Sequence, residues 1–270
     1  MAIKIKQAYL FTYNATLCCS WAYVLYLTFK TSLADDGSLP AIWKASSLAF
    51  TSHISSIASI SNDTIDTSFQ MQAVEFPLKI AQTAAVMEVI HAALGIVRSP
   101  VMVTATQVAS RIWILWGIVD AAPQATTIRS LVLLPLPYPF PRLALNLATL
   151  LTAWCLSEII RYGFFAFKEA GLQPFFLLWL RYSAFIVLYP LGVASELSMV
   201  WLAIPALRAT DTWGVSMPNP YNIGFSYWIG CLLAVCAYVP GFPQLYGYMV
   251  AQRRKVLGIG TRQPIKAKPQ

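Results

Sequence analysis

Six stretches of this chain, near 8–29, 77–97, 101–122, 143–165, 174–206 and 223–250, are long and apolar enough to cross a lipid bilayer. A hydrocarbon core of about 30 Å takes roughly 20 apolar residues per helix. The expectation is an all-α polytopic membrane protein, a six-transmembrane-helix bundle forming a single integral membrane domain over residues 1–270. Composition agrees, with 57% hydrophobic residues, 11% charged residues and a mean hydropathy of +0.59. Those values exclude an ordinary soluble domain. The fifth stretch is long enough to tilt, or to break at Pro190.

A net charge of +8 invites a nucleic-acid reading, but the placement of the charge does not support one. With six spans and a cytosolic N-terminus, eleven basic residues fall on the cytosolic side, Arg98, Arg161 and Lys168 among them, and six on the other. Arg111 and Arg181 lie inside spans. This is the positive-inside asymmetry, so both termini are expected in the cytosol. The basic excess reads as a topology signal toward membrane lipid, with no nucleic acid implied. The apolar part of the first stretch is long and no A-x-A-like cleavage site stands out, which favours a retained anchor helix over a cleaved signal.

Between the spans lie three segments of different character. Residues 30–76 form the main polar insertion, expected in the lumen, with a candidate surface helix and His53 as an ordinary polar residue. Residues 123–142 hold Pro135, Pro137, Pro139 and Pro141, which a regular helix cannot accommodate. Residues 251–270 form a basic cytosolic tail ending in KAKPQ. Its lysines, third and fifth from the end, resemble a dilysine retrieval signal of the endoplasmic reticulum. All five cysteines fall in expected spans, so they read as small packing residues and not as a disulfide framework.

Ionisable residues within spans are costly and are read first as paired or functional. Glu88 and Arg111 are nearly equidistant from a hairpin turn at Ser99-Pro100, as are Glu158 and Arg181 from one at Glu169-Ala170. Each pair should reach one membrane depth, and two buried ion pairs are expected. Glu88-x-x-His91 has the spacing of a carboxylate-bridged metal motif, but a di-iron bundle needs two such motifs and two further glutamates. The chain has two histidines in all, and no metal is expected. Cys155 and Arg161 have the C-x5-R spacing of a tyrosine phosphatase loop. That chemistry needs a backbone nest for phosphate, whereas LSEII between them is helical and carries an acidic residue.

The richest stretch is 179–196, WLRYSAFIVLYPLGVASE. Tyr189 and Glu196 lie two helical turns apart, on one face, about 10.5 Å along a straight axis. Spacing alone leaves two readings open. They could bracket a reacting group, or Tyr189 could be an interfacial tyrosine and Glu196 the partner of Arg142.

At this stretch the chain closely resembles the 3-hydroxyacyl-CoA dehydratases of very-long-chain fatty acid elongation, once called protein tyrosine phosphatase-like. LRYS…LYP.GV..E carries the resemblance, together with YN.T…W at 13–21, MEVIHAALGIVRS at 87–99, Q..SR at 107–111 and EIIRY at 158–162. It implies that a (3R)-3-hydroxyacyl-CoA is dehydrated to a trans-2-enoyl-CoA, without a cofactor, with Tyr189 and Glu196 as the catalytic pair. Arg181 and Gly192 match the same motif and are read as structural support, as are Glu88, Arg111 and Glu158. Phe165 departs from the tyrosine expected in EIIRY.FY, which affects an accessory hydrogen bond and not the reaction. Arg98, Arg161 and Lys168 are candidates to meet the CoA phosphates at the cytosolic mouth. The resemblance also implies residence in the endoplasmic reticulum membrane beside a condensing enzyme, a ketoacyl reductase and an enoyl reductase. The competing expectation is a non-catalytic lipid-binding scaffold or a small carrier, although a carrier would more plausibly show duplicated halves.

Overall fold

The computed structural model describes residues 2–34, 66–97, 99–123, 125, 132–134 and 143–258. His53, Arg98, Arg142, the four alternate prolines and the KAKPQ terminus lie outside the described residues, as does most of the insertion.

Helix α1 runs from Ala2 to Ala34, with no glycine or proline in its 33 residues to interrupt it. Helices α2 (Asp66–Ala84) and α3 (Val86–Ala93) follow, then α4 (Val101–Ile112), which widens into a π-helical segment, Trp113–Val119. Strands β1 (Val132–Leu134) and β2 (Leu143–Leu145) pair antiparallel, with Val132 opposite Leu145. Helix α5 spans Leu147–Glu169, α6 Phe175–Ser183, α7 Phe185–Thr210 and α8 Tyr227–Leu257.

Four stretches among the described residues are long and apolar enough to cross a membrane: Val101–Val119, Leu147–Glu169, Phe175–Thr210 and Tyr227–Leu257. The expected all-α, polytopic architecture holds, but the expected count of six narrows to four. Two reasons are visible in the residues. Helix α1 is diluted by Thr12, Asn14, Thr16 and Ser20. The 77–97 stretch is divided at Ala85 and carries Lys79, Glu88 and His91.

The break expected at Pro190 falls elsewhere. Pro190 sits inside α7, and the interruption comes at Ala184, where the Val187 amide bonds the Ala184 carbonyl at 3.2 Å in the tighter i to i+3 pattern. A proline ring crowds the carbonyl four residues earlier, here Ile186, and the turn upstream absorbs that crowding. The two expected hairpin turns are present. Pro100 caps α4 in an extended conformation, and Gly171, with φ +81°, turns the chain between α5 and α6.

Helix α5 is the centre of the bundle. Its start is fixed by a capping box: the Asn146 side chain accepts from the Thr149 amide at 3.0 Å and Thr149 Oγ1 accepts from the Asn146 amide at 2.9 Å. Helices α1, α6 and α7 pack around α5, α2 packs on α1, and α8 packs on α6 and α7. The core gathers Trp21 and Val24 of α1, Leu78 of α2, Leu150, Leu151 and Trp154 of α5, and Met199 and Ala203 of α7. Lipid tails are as apolar as leucine, so close packing and interhelical hydrogen bonds hold such a bundle together. By that measure α8 is the least embedded of the four membrane-crossing stretches: Cys231 is its one buried residue.

Candidate active site

Glu196 is a carboxylate 7% exposed, set in α7 between α5 and α8. Both of its oxygens accept hydrogen bonds. Trp154 Nε1 of α5 donates to Oε1 at 2.9 Å, and the Tyr238 hydroxyl of α8 donates to Oε2 at 3.0 Å. Both donors are neutral, and among the described residues Glu196 has no ion pair to a cation. The Arg111 guanidinium lies 5.7 Å from the Trp154 ring centre, over the far side of this support.

Tyr189 is partly buried one helical face along α7. Its ring stacks on Phe242 at 5.3 Å and on Tyr246 at 6.2 Å, both on α8. Phe185 meets Tyr246 at 5.7 Å. The contacts follow one rule: Glu196 opposes Tyr238, Tyr189 opposes Phe242 and Tyr246, and Phe185 opposes Tyr246. Residues 238, 242 and 246 recur every four positions, so they form one stripe on α8. The stripe runs antiparallel to the face of α7 that carries Phe185, Tyr189 and Glu196. One seam thus holds a carboxylate and three phenols between two helices.

A second polar cluster lies among α3, α4 and α5, and its pairing differs from the expectation. Arg161 forms a forked pair with Glu88, with Nη2 to Oε1 at 2.7 Å and Nη1 to Oε2, and also bonds Glu158, with Nε to Oε2 at 2.8 Å. Arg111 pairs with Glu158, and the Tyr162 hydroxyl donates to Glu88. The expected Glu88–Arg111 and Glu158–Arg181 pairs are therefore replaced by one chain, Glu88–Arg161–Glu158–Arg111. Equal depth in a hairpin did not decide the partners, because Arg161 stands one turn from Glu158 and faces Glu88 across the bundle. Arg161, assigned at first to the cytosolic rim and to CoA phosphate, is turned inward and neutralised.

Arg181 is held by rings instead. Its guanidinium carbon lies 4.5 Å from the Phe165 ring centre and 5.3 Å from that of Phe164, and its Nε is buried with no hydrogen-bond partner. Lys168 Nζ stands 6.0 Å from the same Phe165 ring, so the phenylalanine that departs from the expected tyrosine serves as a surface for two cations. Gly192 is buried against α5, where an added Cβ would meet Ala153 Cβ at an ordinary 3.8 Å. His91 Nε2 and the Tyr9 hydroxyl are 2.8 Å apart. Cys155 is buried within helix α5, so the segment from Cys155 to Arg161 is helical, as expected, and forms no phosphatase loop.

The structure brings together Tyr189, Glu196 and the α8 stripe, and it separates them from the Glu88–Arg111 chain except through Trp154. Sequence reasoning passed over Trp154 and Tyr238. The Tyr238, Phe242, Tyr246 repeat at every fourth residue was a signal available for the second of these.

The family described as Protein tyrosine phosphatase-like protein, PTPLA, matches residues 82–259. The chain is 36% identical over 260 residues to the very-long-chain (3R)-3-hydroxyacyl-CoA dehydratase PASTICCINO 2 of Arabidopsis thaliana, covering 96% of this chain and 97% of that one. It is 36% identical to a very-long-chain (3R)-3-hydroxyacyl-CoA dehydratase of Caenorhabditis elegans, over 95% of this chain and 98% of that one. With very-long-chain (3R)-3-hydroxyacyl-CoA dehydratase 2 of Homo sapiens it shares 38% identity over 68% of this chain and 66% of that one. No solved structure matches the chain.

Proposed function

This chain belongs to the protein tyrosine phosphatase-like family of very-long-chain (3R)-3-hydroxyacyl-CoA dehydratases, and from that premise we propose that the α7–α8 seam is its active site, with Glu196 as base and Tyr189 as acid. The protein is a lyase of fatty acid elongation: it converts a very-long-chain (3R)-3-hydroxyacyl-CoA to the trans-2-enoyl-CoA and water. The observation that carries the site is the carboxylate of Glu196, buried yet held by two neutral donors, on the same helical face as Tyr189.

The chemistry asks for two proton transfers. The thioester acidifies the C2 proton, which passes to the Glu196 carboxylate. The C3–O bond breaks as the double bond forms, and the leaving hydroxide takes a proton from the Tyr189 phenol to become water. Return of the Glu196 proton to the Tyr189 phenolate resets both groups. Positioned acid and base groups of this kind contribute about 10²–10⁴-fold each. The CoA nucleotide remains in water at the end of the bundle where Pro174 begins α6. From there Tyr189 is about 22 Å down the helix at 1.5 Å per residue. The pantetheine arm spans that depth, and Lys168 stands at the mouth to meet phosphate.

We assign α1 and the α2–α3 segment as the two further crossings, giving six in all and both termini in the cytosol. In support, the polar side chains of α1 are answered within the helix: Thr12 bonds the Ala8 carbonyl, Asn14 that of Leu10, Ser20 that of Thr16 and Thr28 that of Val24. Residence in the endoplasmic reticulum, beside a condensing enzyme, a ketoacyl reductase and an enoyl reductase, follows from the reaction's place between reduction and second reduction.

The test is dehydration of a long-chain 3-hydroxyacyl-CoA by the purified full chain. Glu196→Gln and Tyr189→Phe should each fold and each lose at least about 100-fold in kcat. Wild-type rates in either variant would remove that residue from the site.

A further inference from the structure

Glu196 sits on a side chain with three rotatable bonds, so a base of this kind must be aimed before it can act. Two donors reach it from two different helices, one to each oxygen: Trp154 from α5 and Tyr238 from α8. Fixing both oxygens fixes the plane of the carboxylate. An ionised carboxylate offers about four lone-pair positions, so two remain after Trp154 and Tyr238 are served. Trp154 is 2% exposed and can only donate, which makes its contact a fixed anchor. Tyr238 belongs to the α8 stripe whose next members, Phe242 and Tyr246, stack on Tyr189. Tyr238 thus stands in line with residues packed on α7, and its hydroxyl's one hydrogen-bond partner among the described residues is the carboxylate.

We infer that Tyr238 is a positioning residue for the dehydration, its hydroxyl holding the Glu196 carboxylate so that a free lone pair faces C2 of the bound thioester. This rests on Glu196 being the base. Removing the hydroxyl leaves the ring, the stripe and the Trp154 anchor in place but lets the carboxylate turn about the Oε1 contact. Small misalignments of a reacting group cost rate more than binding. The same hydroxyl couples α8, the least embedded of the four membrane-crossing stretches, to the reacting group, so the base is fully aimed when α8 lies against α7.

The experiment compares wild type with Tyr238→Phe, using a long-chain 3-hydroxyacyl-CoA with either hydrogen or deuterium at C2. Tyr238→Phe should lower kcat about tenfold with KM within twofold, as for loss of one aligned hydrogen bond to a charged group. Its isotope effect on kcat should exceed that of wild type, because proton removal from C2 becomes the slower step. The thermal midpoint should stay unchanged. Tyr248→Phe, an exposed phenol on the same helix bonded to Gln252 at 3.0 Å, should behave as wild type and controls for loss of a tyrosine on α8. If Tyr238→Phe keeps the wild-type kcat, or loses rate only with thermal stability and with an unchanged isotope effect, the inference is overturned. Glu196→Gln, run alongside, separates the two levels. An inactive Glu196→Gln with a fully active Tyr238→Phe removes Tyr238 and keeps the base, whereas an active Glu196→Gln removes both.

Discussion

At the scale of single residues, the protein spends its buried charges in two ways. Glu196 is held by neutral donors and keeps lone pairs for chemistry, while Glu88 and Glu158 are consumed by arginines. Arg161 is the joint of that second group, since it alone touches both carboxylates. Arg161→Met should leave Glu88 without a cation and reduce stability by about 3 kcal/mol, read as a lower thermal midpoint in detergent. Arg161→Lys should recover only part of the loss, because an ammonium cannot make the forked pair. Glu88→Gln should cost less, since the Tyr162 hydroxyl still has an acceptor. Much of this was legible beforehand. Tyr189 and Glu196 share a face because seven residues are two turns, although that spacing left two readings open and only the family resemblance implied a catalytic pair. The partners of Glu88 and Glu158 were not legible, because depth from a hairpin turn says nothing about rotation around the helix. Tyr238 was hidden for another reason: its contact lies across 42 residues, between helices whose relative register no local pattern states.

At the scale of elements, the π-helical segment Trp113–Val119 shows how one small residue admits a partner. Tyr227 of α8 places its hydroxyl on the Gly117 carbonyl at 3.0 Å and receives the Trp113 indole N–H at 3.0 Å. A Cβ on Gly117 would collide with that hydroxyl and would approach Trp113 Cδ1 to 2.8 Å. Gly117→Ala should therefore destabilise the protein by about 1–3 kcal/mol and loosen the start of α8, measured by thermal unfolding. Tyr227→Phe combined with it should restore part of the loss. Single-turn π segments are frequent near functional sites, and here the segment packs against α7, the helix that carries Tyr189 and Glu196. The sequence shows Gly117 inside an apolar run but not the extra residue per turn, which arises from packing and not from composition. Pro190 teaches the same lesson in reverse. Its presence announced a disturbance of the helix, and the interruption lies six residues upstream, at Ala184.

At the scale of the whole molecule, six apolar stretches predicted an all-α membrane bundle, and among the described residues four of them form helices long and apolar enough to cross a membrane. The other two, α1 and the α2–α3 segment, are helical as expected but fall outside the helices long and apolar enough to cross a membrane. Glycosylation acceptor sites would test the arrangement. Placed in the 35–65 segment they should be modified in the endoplasmic reticulum, and placed at either terminus they should not. A modified N-terminus would reverse the topology and move the site's mouth to the other side. The packing of α1 also sets an order of events during synthesis. Its main neighbour is α5, which ends at Glu169, long after α1 has left the ribosome. On the proposed assignment of α1 as a crossing, synthesis at roughly 5–20 residues per second leaves it in the bilayer for roughly 7–27 s before α5 is complete. The internal hydrogen bonds of Thr12, Asn14, Ser20 and Thr28 answer one donor on each of those side chains while it waits. Until α5 arrives, Trp21 and Val24 lack the α5 side chains that complete their burial, and α1 waits with only the segments made before α5, α2 among them, to pack against.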